Sequence, residues 1–147
     1  MKFLIDIDTC IYALKQNRAV LKNLLARAPE DIVVSLITVA ELRTGAAKST
    51  SATKTLRLVE NFVRPIAILE FTSSDAASYA QFRARLERAG TPIGPLDRLI
   101  AAQAVARKLV LVSNNQQEFG RSRACIFRTG QVSASRRPAI SWAHSFA

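Results

Sequence analysis

Acidic side chains at four separated places in the chain could together support chemistry on a bound cation. Asp6 ends the first apolar stretch, Glu41 and Asp97 lie farther along, and Glu118 follows the last strongly patterned segment. Carboxylates held close together raise one another's pKa unless a cation neutralises them. Their oxygens suit Mg²⁺ or Mn²⁺, which take octahedral oxygen coordination. The acids therefore predict a site for a divalent cation, with Mg²⁺ expected and Mn²⁺ as the alternative.

Other common catalytic chemistries have little material in this sequence. His144 is the only histidine, which argues against a histidine-based triad or a zinc site. There is no Cys-x-x-Cys motif, and the five glycines form no phosphate-binding loop.

Short apolar runs alternate with helical patterns through residues 1–120, which hold no linker. Strands are predicted at Met1–Ile5, Ile32–Val34, Ala67–Phe71 and Leu109–Val112. Helices are predicted at Thr9–Lys15, Ala19–Ala28, from Ser35 or Thr38 to about Lys48, Lys54–Val63, Ser74–Ala89 and Leu96–Lys108. This alternation is typical of an α/β protein with a mostly parallel sheet and helices on both faces.

The acids follow the predicted strands, where such folds build their sites. Ligands bind beyond the carboxyl ends of parallel strands, and Asp6 comes directly after the first strand. Each acid also has a purely structural explanation. Asp6 can cap the next helix, Thr38 and Glu41 together spell a capping box, and Asp97 lies where a helix dipole favours an anion.

The composition indicates a folded, basic protein. The 147 residues carry a net charge of +10, which favours a polyanionic partner such as nucleic acid. No apolar run approaches the roughly 20 residues that span a membrane. Acids appear by Asp6, so no signal-peptide pattern is present, and a cytoplasmic protein without membrane contact is expected.

Three segments resemble a known family in order and spacing. They read "FLIDIDTCIYALK", "VVSLITVAELRTGAAKS" and "GTPIGPLDRLIAAQAVARKLVLVSNNQQEF". They are similar to PIN-domain toxins of the VapC type over about residues 1–120, and most similar to the branch that cleaves initiator tRNA in its anticodon loop. The resemblance implies a PIN-like three-layer α/β/α fold and a Mg²⁺-dependent endoribonuclease that hydrolyses tRNA with a metal-activated water.

The same resemblance implies partners for the chain. Proteins of this type are toxins of type II toxin–antitoxin systems and are usually homodimers. Each is inhibited by a cognate VapB-type antitoxin, and operator DNA is contacted only through the antitoxin complex.

By position, Asp6, Glu41 and Asp97 match the family's three acids, which implies that Asp6 and Asp97 are the metal ligands. The fourth acidic position falls on Asn115, and Glu118 is the residue that could contribute in its place.

Five further residues are candidate substrate contacts. Arg43 and Arg98 could bind phosphates, Tyr12 could stack on a base, and Asn115 occupies the fourth acidic position. Asp8 departs from the relatives, which commonly have Asn or Ser there. Ordinary surface or core roles remain open for each of them.

Two alternatives stay open on the sequence alone. The spelling Asp-x-Asp-x-Thr at Asp6, Asp8 and Thr9 also begins haloacid-dehalogenase-type phosphatases, which form an aspartyl phosphate. Those enzymes need a second acidic motif, whereas Ser113 here is followed by Asn-Asn-Gln-Gln-Glu. The second alternative is a catalytically impaired relative that acts only as a partner of the antitoxin and the operator.

Residues 121–147 do not continue the family pattern. This stretch contains five arginines and no acid, so we expect an atypical basic tail that is poorly ordered. One codon choice for Arg121–Gly130, CGG TCC CGG GCC TGC ATC TTC CGG ACT GGG, encodes Val-Pro-Gly-Leu-His-Leu-Pro-Asp-Trp when read two bases later. Relatives usually end on a similar string, so a shifted reading frame near residue 121 is our interpretation. An RNA-binding tail is the rival.

Overall fold

A computed structural model describes residues 2–90 and 93–113 of the chain. The strands in this part are β1 (Phe3–Ile5), β2 (Ile32–Ser35), β3 (Ala67–Leu69) and β4 (Val110–Val112). The helices are α1 (Ile7–Leu14), α2 (Arg18–Leu25), α3 (Leu36–Lys48), α4 (Ala52–Val63), α5 (Ser73–Arg88) and α6 (Pro95–Ala106). The proposed tail and the positions of Asn115 and Glu118 lie outside the described residues.

The four described strands form one parallel sheet in the order β3-β2-β1-β4. Leu4 on β1 pairs in register with Val33 on β2 and with Leu111 on β4. The carboxyl ends of the strands therefore meet at one edge, which we call the carboxyl edge. The first strand along the chain lies between two others, so the segment that follows it opens at the middle of this edge.

Helices cover both faces of the sheet. Successive strand residues point to opposite faces, so each face has its own buried cluster. Ile5 and Val34 belong to a buried cluster that includes Phe62 and residues of α1 to α4. Leu4 and Val33 belong to a second buried cluster with residues of α5 and α6. The predicted three-layer α/β/α architecture is confirmed.

An ion pair fixes α5 and α6 side by side in opposite directions. The guanidinium of Arg107, just after α6, donates from Nε and Nη2 to the two carboxylate oxygens of Asp75, at 3.1 and 2.8 Å. Arg107 also donates to the carbonyl oxygen of Glu70 at 2.7 Å. Because Asp75 lies in the first turn of α5, the last turn of α5 lies beside the first turn of α6.

The helix boundaries differ from the predicted ones mainly at the caps. α5 begins at Ser73, one residue before the predicted start at Ser74, and is capped by Thr72, because Thr72 and Asp75 form a reciprocal capping box. α3 begins directly after Ser35, whose hydroxyl accepts from the N–H of Ile37, so Thr38 lies inside the helix. The Thr38–Glu41 capping box is therefore wrong.

Gly90 follows the end of α5 and terminates the helix through its backbone conformation. Gly90 has φ +65°, a left-handed conformation that glycine adopts without a side-chain clash. Within residues 2–90 and 93–113, no helix combines the length and apolar character needed to cross a membrane.

Candidate active site

Asp6 occupies the middle of the carboxyl edge and is 1% exposed. Its backbone N–H donates to the carbonyl oxygen of Val112 at 3.1 Å, which extends the β1–β4 pairing by one residue. Its carboxylate accepts from the backbone N–H of Thr9 at 2.8 Å and so caps α1. The capping role considered from the sequence is confirmed, and it fixes where the carboxylate lies.

The Asp6 carboxyl is buried away from solvent, and this burial shifts its pKa. Burial raises the pKa of the Asp6 carboxyl above its ordinary value, and the negative charge of Asp8 adds to this rise. Hydrogen bonds from the side chains of Ser113 and Thr9 act in the opposite direction and favour the ionised form. A buried carboxylate in this state gains most from a cation placed against it.

Ser113 is a site residue that the sequence reasoning missed. It is fully buried, directly follows β4, and reaches Asp6 across 107 positions of sequence. A polar residue immediately after a buried strand was the available signal, because neighbouring parallel strands end at the same edge.

Buried polar side chains concentrate around Asp6. They lie just beyond β1, at the end of β2 and in the turn after it, and just beyond β4. The set is Asp6, Thr9, Ser35, Thr38 and Ser113, all at most 2% exposed. Inside the described part of the chain, the Thr38 hydroxyl makes no hydrogen bond. This edge is therefore polar in its interior, whereas the two faces of the sheet are apolar.

Glu41 lies in the second turn of α3 and is half-buried. It borders a mainly apolar cavity of about 380 Å³ between α1, α3 and α4, with Ile11, Leu42 and Leu58 among its other lining residues. The α3 helix starts from the carboxyl end of β2, so Glu41 lies one turn beyond the buried polar cluster.

Asp97 lies in the first turn of α6, two residues after Pro95, and is half-buried. The end of α6 leads within a few residues into the start of β4, so α6 runs back along the sheet. Its 12 residues span about 18 Å, which directs its first turn, and Asp97, toward the carboxyl edge. Pro95 favours the start of α6 at this position, because its fixed φ suits the first turn of a helix.

Across residues 2–90 and 93–113, no three Asp, Glu, His or Cys side chains come close enough together to hold a metal ion. Asn115 and Glu118, the remaining candidates, lie beyond those residues. The assignment of Asp6 and Asp97 as ligands therefore stays a prediction. The donor chemistry fits a hard divalent cation, since Asp6, Glu41 and Asp97 offer only carboxylate oxygens.

The candidate substrate contacts differ in their surroundings. Asp8 and Tyr12 are exposed on α1, Tyr12 with 44% of its surface accessible. Arg43 makes two hydrogen bonds to Glu60 on α4, at 2.8 and 3.3 Å. Arg98 lies 3.7 Å from Glu87, nitrogen to oxygen, at the junction of α5 and α6.

Comparison with known families agrees with this topology. The PIN domain profile matches residues 4–122. The chain belongs to the PIN-domain family. The tRNA(fMet)-specific endonuclease VapC of Salmonella typhimurium is 37% identical to this PIN domain over 121 residues, which are 82% of this chain and 92% of the relative. The protein of the same name from Shigella flexneri is 36% identical over the same shares.

Solved structures place the PIN domain in its VapC branch. The DNA-bound VapBC complex of Salmonella typhimurium superposes with a TM-score of 0.80 at 36% identity, covering 89% of this chain and 99% of the compared chain. VapBC2 of Rickettsia felis, bound to a promoter DNA fragment, gives 0.81 at 32% identity, with coverages of 88% and 98%. The predicted resemblance to VapC-type PIN domains is confirmed.

Proposed function

We propose that this chain is a divalent-metal-dependent endoribonuclease, the toxin of a type II toxin–antitoxin system, and that it cleaves tRNA. The observation that carries the proposal is the buried Asp6 carboxylate, held by Thr9 and Ser113 at the carboxyl edge of a VapC-type PIN domain. Initiator tRNA is the proposed target, supported by the names of the relatives at 36–37% identity, and its anticodon loop is the proposed cleavage site.

In the proposed mechanism, Asp6 and Asp97 would hold Mg²⁺, or Mn²⁺ in its place. The bound cation would polarise a phosphodiester and make a water molecule more acidic. Glu41 would either complete the site or orient that water, and Asn115 or Glu118 would contribute at the family's fourth acidic position. Hydrogen bonds from Thr9 and Ser113 favour the ionised form of Asp6 and fix the direction of its carboxylate. Tyr12, exposed on the same helix as Thr9, is the proposed surface for the RNA strand.

The proposed partner is a VapB-type antitoxin, which binds a homodimer of the toxin and carries the contact with operator DNA. The cavity between α1, α3 and α4 offers a place for an apolar antitoxin segment, because Leu58 on its lining is 49% exposed and Glu41 borders it. The solved relatives support this partner, since they are VapBC complexes. We also propose a cytoplasmic location.

The antitoxin surface has a direct test. Leu58→Asp places a charge in the cavity and should relieve inhibition by the cognate antitoxin while leaving cleavage of tRNA intact. Ile68→Asp is the matched control, since Ile68 is also an exposed apolar residue, at 40%, but lies on β3. Equal inhibition of both variants would refute the cavity as the antitoxin site.

Cleavage of purified tRNA, with and without Mg²⁺, tests the enzymatic proposal. The wild-type protein should cut one tRNA at a defined bond only with the cation, and Asp6→Asn should lower the rate by at least 100-fold. Asp8→Asn is the matched control and should retain cleavage. If wild type and Asp6→Asn behave alike, the catalytically impaired alternative, a partner of the antitoxin and operator alone, replaces the enzyme. The phosphatase alternative has no support from the family match.

For the end of the chain we propose a PIN-like nuclease domain over residues 1–120 and an atypical tail over 121–147, read in a shifted frame. The PIN domain match stops at residue 122. Genomic sequence that lacks the Val-Pro-Gly-Leu ending in the alternative frame would refute the shifted frame and favour a basic RNA-binding tail.

A further inference from the structure

Arg98 follows Asp97 directly and is the least satisfied of the paired arginines in the described chain. Its nearest carboxylate oxygen, Oε1 of Glu87, lies 3.7 Å from Nη1, beyond hydrogen-bonding distance. Its Nε is buried and has no hydrogen-bond partner among residues 2–90 and 93–113. A guanidinium carries five N–H donors in a planar fork, so most of its donor capacity remains available.

The other ion-paired arginines differ in this respect. Arg43 donates twice to Glu60, and Arg107 donates three times, to Asp75 and the Glu70 carbonyl. Glu87 itself is already committed, because its Oε1 accepts from Nε of Arg83 at 2.7 Å. The long contact from Arg98 is therefore the weaker of the two that Glu87 makes.

The position of Arg98 in the fold indicates which ligand its guanidinium can bind. Arg98 lies in the first turn of α6, at the end of that helix that meets the carboxyl edge, and 19% of its side chain is exposed. Arg98 is the residue next to the candidate ligand Asp97 in the same turn, so a phosphate that approaches this end of α6 would approach both side chains. Phosphate oxygens match the guanidinium fork in a bidentate pair, which is shorter and stronger than the contact that Glu87 provides.

We propose that Arg98 binds a phosphate of the RNA substrate beside the scissile bond, and that Glu87 is the counter-ion it leaves when RNA arrives. This inference rests on the proposed ribonuclease function. It separates two arginines that look equivalent in the sequence: Arg98 serves the substrate, whereas Arg43 joins α3 to α4.

Binding of fluorescently labelled tRNA to cleavage-deficient Asp6→Asn protein tests the proposal. Adding Arg98→Gln should weaken binding by about 10- to 100-fold, the usual effect of losing a charge-assisted pair. The slope of log K against log salt should fall by about one. Adding Arg43→Gln removes the same charge from another glutamate-paired arginine and should change binding less than twofold. Arg98→Lys should recover only part of the affinity.

Substitution of Glu87, the ion-pair partner, provides a test that leaves Arg98 itself unchanged. Glu87→Gln releases the guanidinium from an exposed partner and should tighten tRNA binding severalfold. Glu60→Gln is the control for the general loss of one negative charge and should have a smaller effect.

The outcomes separate the inference from the proposed function. If wild type cleaves tRNA but Arg98→Gln binds it as tightly as Arg43→Gln does, the inference is overturned and the ribonuclease stands. Equal effects of Glu87→Gln and Glu60→Gln would also overturn it, even if Arg98→Gln failed to fold. If the wild-type protein neither binds nor cleaves tRNA, the proposed function itself fails.

Discussion

Asp75→Asn should destabilise the protein, because it leaves the Arg107 guanidinium without its carboxylate. The paired oxygens lie 3.1 and 2.8 Å from Arg107, and only 2% of the Asp75 side chain is exposed. Hydrogen bonds from Arg107, and further ones from Thr72, lower the pKa of Asp75 from 3.8 to about 2. At about 1.4 kcal/mol per pKa unit, the ionised Asp75 contributes roughly 2.5 kcal/mol to folding at neutral pH.

The pH dependence of this contribution follows from the direction of the pKa change. A carboxyl whose pKa is depressed on folding contributes fully above its unfolded value near 4 and loses the contribution as pH falls toward 2. At pH 3 about half remains, roughly 1.3 kcal/mol. Asparagine keeps an oxygen that can accept from Thr72, so the comparison isolates the charge rather than the helix cap.

Urea-induced unfolding of wild type and Asp75→Asn at pH 7 and pH 3 measures both values. Glu87→Gln is the control, since an exposed ion pair contributes less than about 1 kcal/mol. The free-energy difference should be about 2–3 kcal/mol at pH 7 and should shrink by about half at pH 3. A difference below about 0.5 kcal/mol at pH 7, or one that does not change with pH, would refute the reasoning.

Two further predictions concern the candidate active site. Ser113→Ala removes a hydrogen bond to a buried carboxylate, worth about 1.5–3 kcal/mol, so half-maximal cleavage should need at least tenfold more Mg²⁺; Ser113→Thr should restore it. Ser35→Ala, which removes a buried serine from the neighbouring strand end, should lower the unfolding temperature but leave the Mg²⁺ requirement unchanged. In EDTA, Asp6→Asn should raise the unfolding temperature. Burial raises the pKa of Asp6 in the folded protein. Wild type should therefore gain stability as the pH falls toward the unfolded pKa near 4, and Asp6→Asn should lack this gain. Calorimetry measures the unfolding temperature in EDTA and its pH dependence for the two proteins.

Much of the fold could be predicted because local signals and tertiary structure agree. The apolar runs at β1 and β2 are buried on both faces, as expected for central parallel strands. Pro95 begins α6 and Gly90 ends the segment after α5, and both act through backbone geometry that the residue type alone dictates.

The start of α5 shows where local signals are insufficient. Thr72, Ser73 and Ser74 are all competent helix caps by residue type. The choice of Thr72 depends on Asp75, which both completes the capping box and binds Arg107 from 32 residues away. A contact made only in the folded chain therefore decides a boundary that looks local.

The placement of Asp6 at the carboxyl edge was predictable from the sequence, but its contacts were not. Asp6 could be placed from its position after a strand, whereas its contact with Ser113 depends on which strand lies beside β1. The different surroundings of Arg43 and Arg98 have the same origin, because Glu60 and Glu87 reach them only through the packing of neighbouring helices.

The central position of β1 has a consequence for the timing of synthesis. Asp6, which directly follows β1, is translated 107 residues before Ser113, which directly follows the neighbouring strand β4. Pairing over such a long sequence separation forms slowly. A nascent chain therefore carries Asp6 for most of its synthesis without the group that orients it. For the proposed ribonuclease, this order predicts that cleavage activity arises only after β4 and Ser113 have emerged from the ribosome, so that the tRNA in use at that moment is spared.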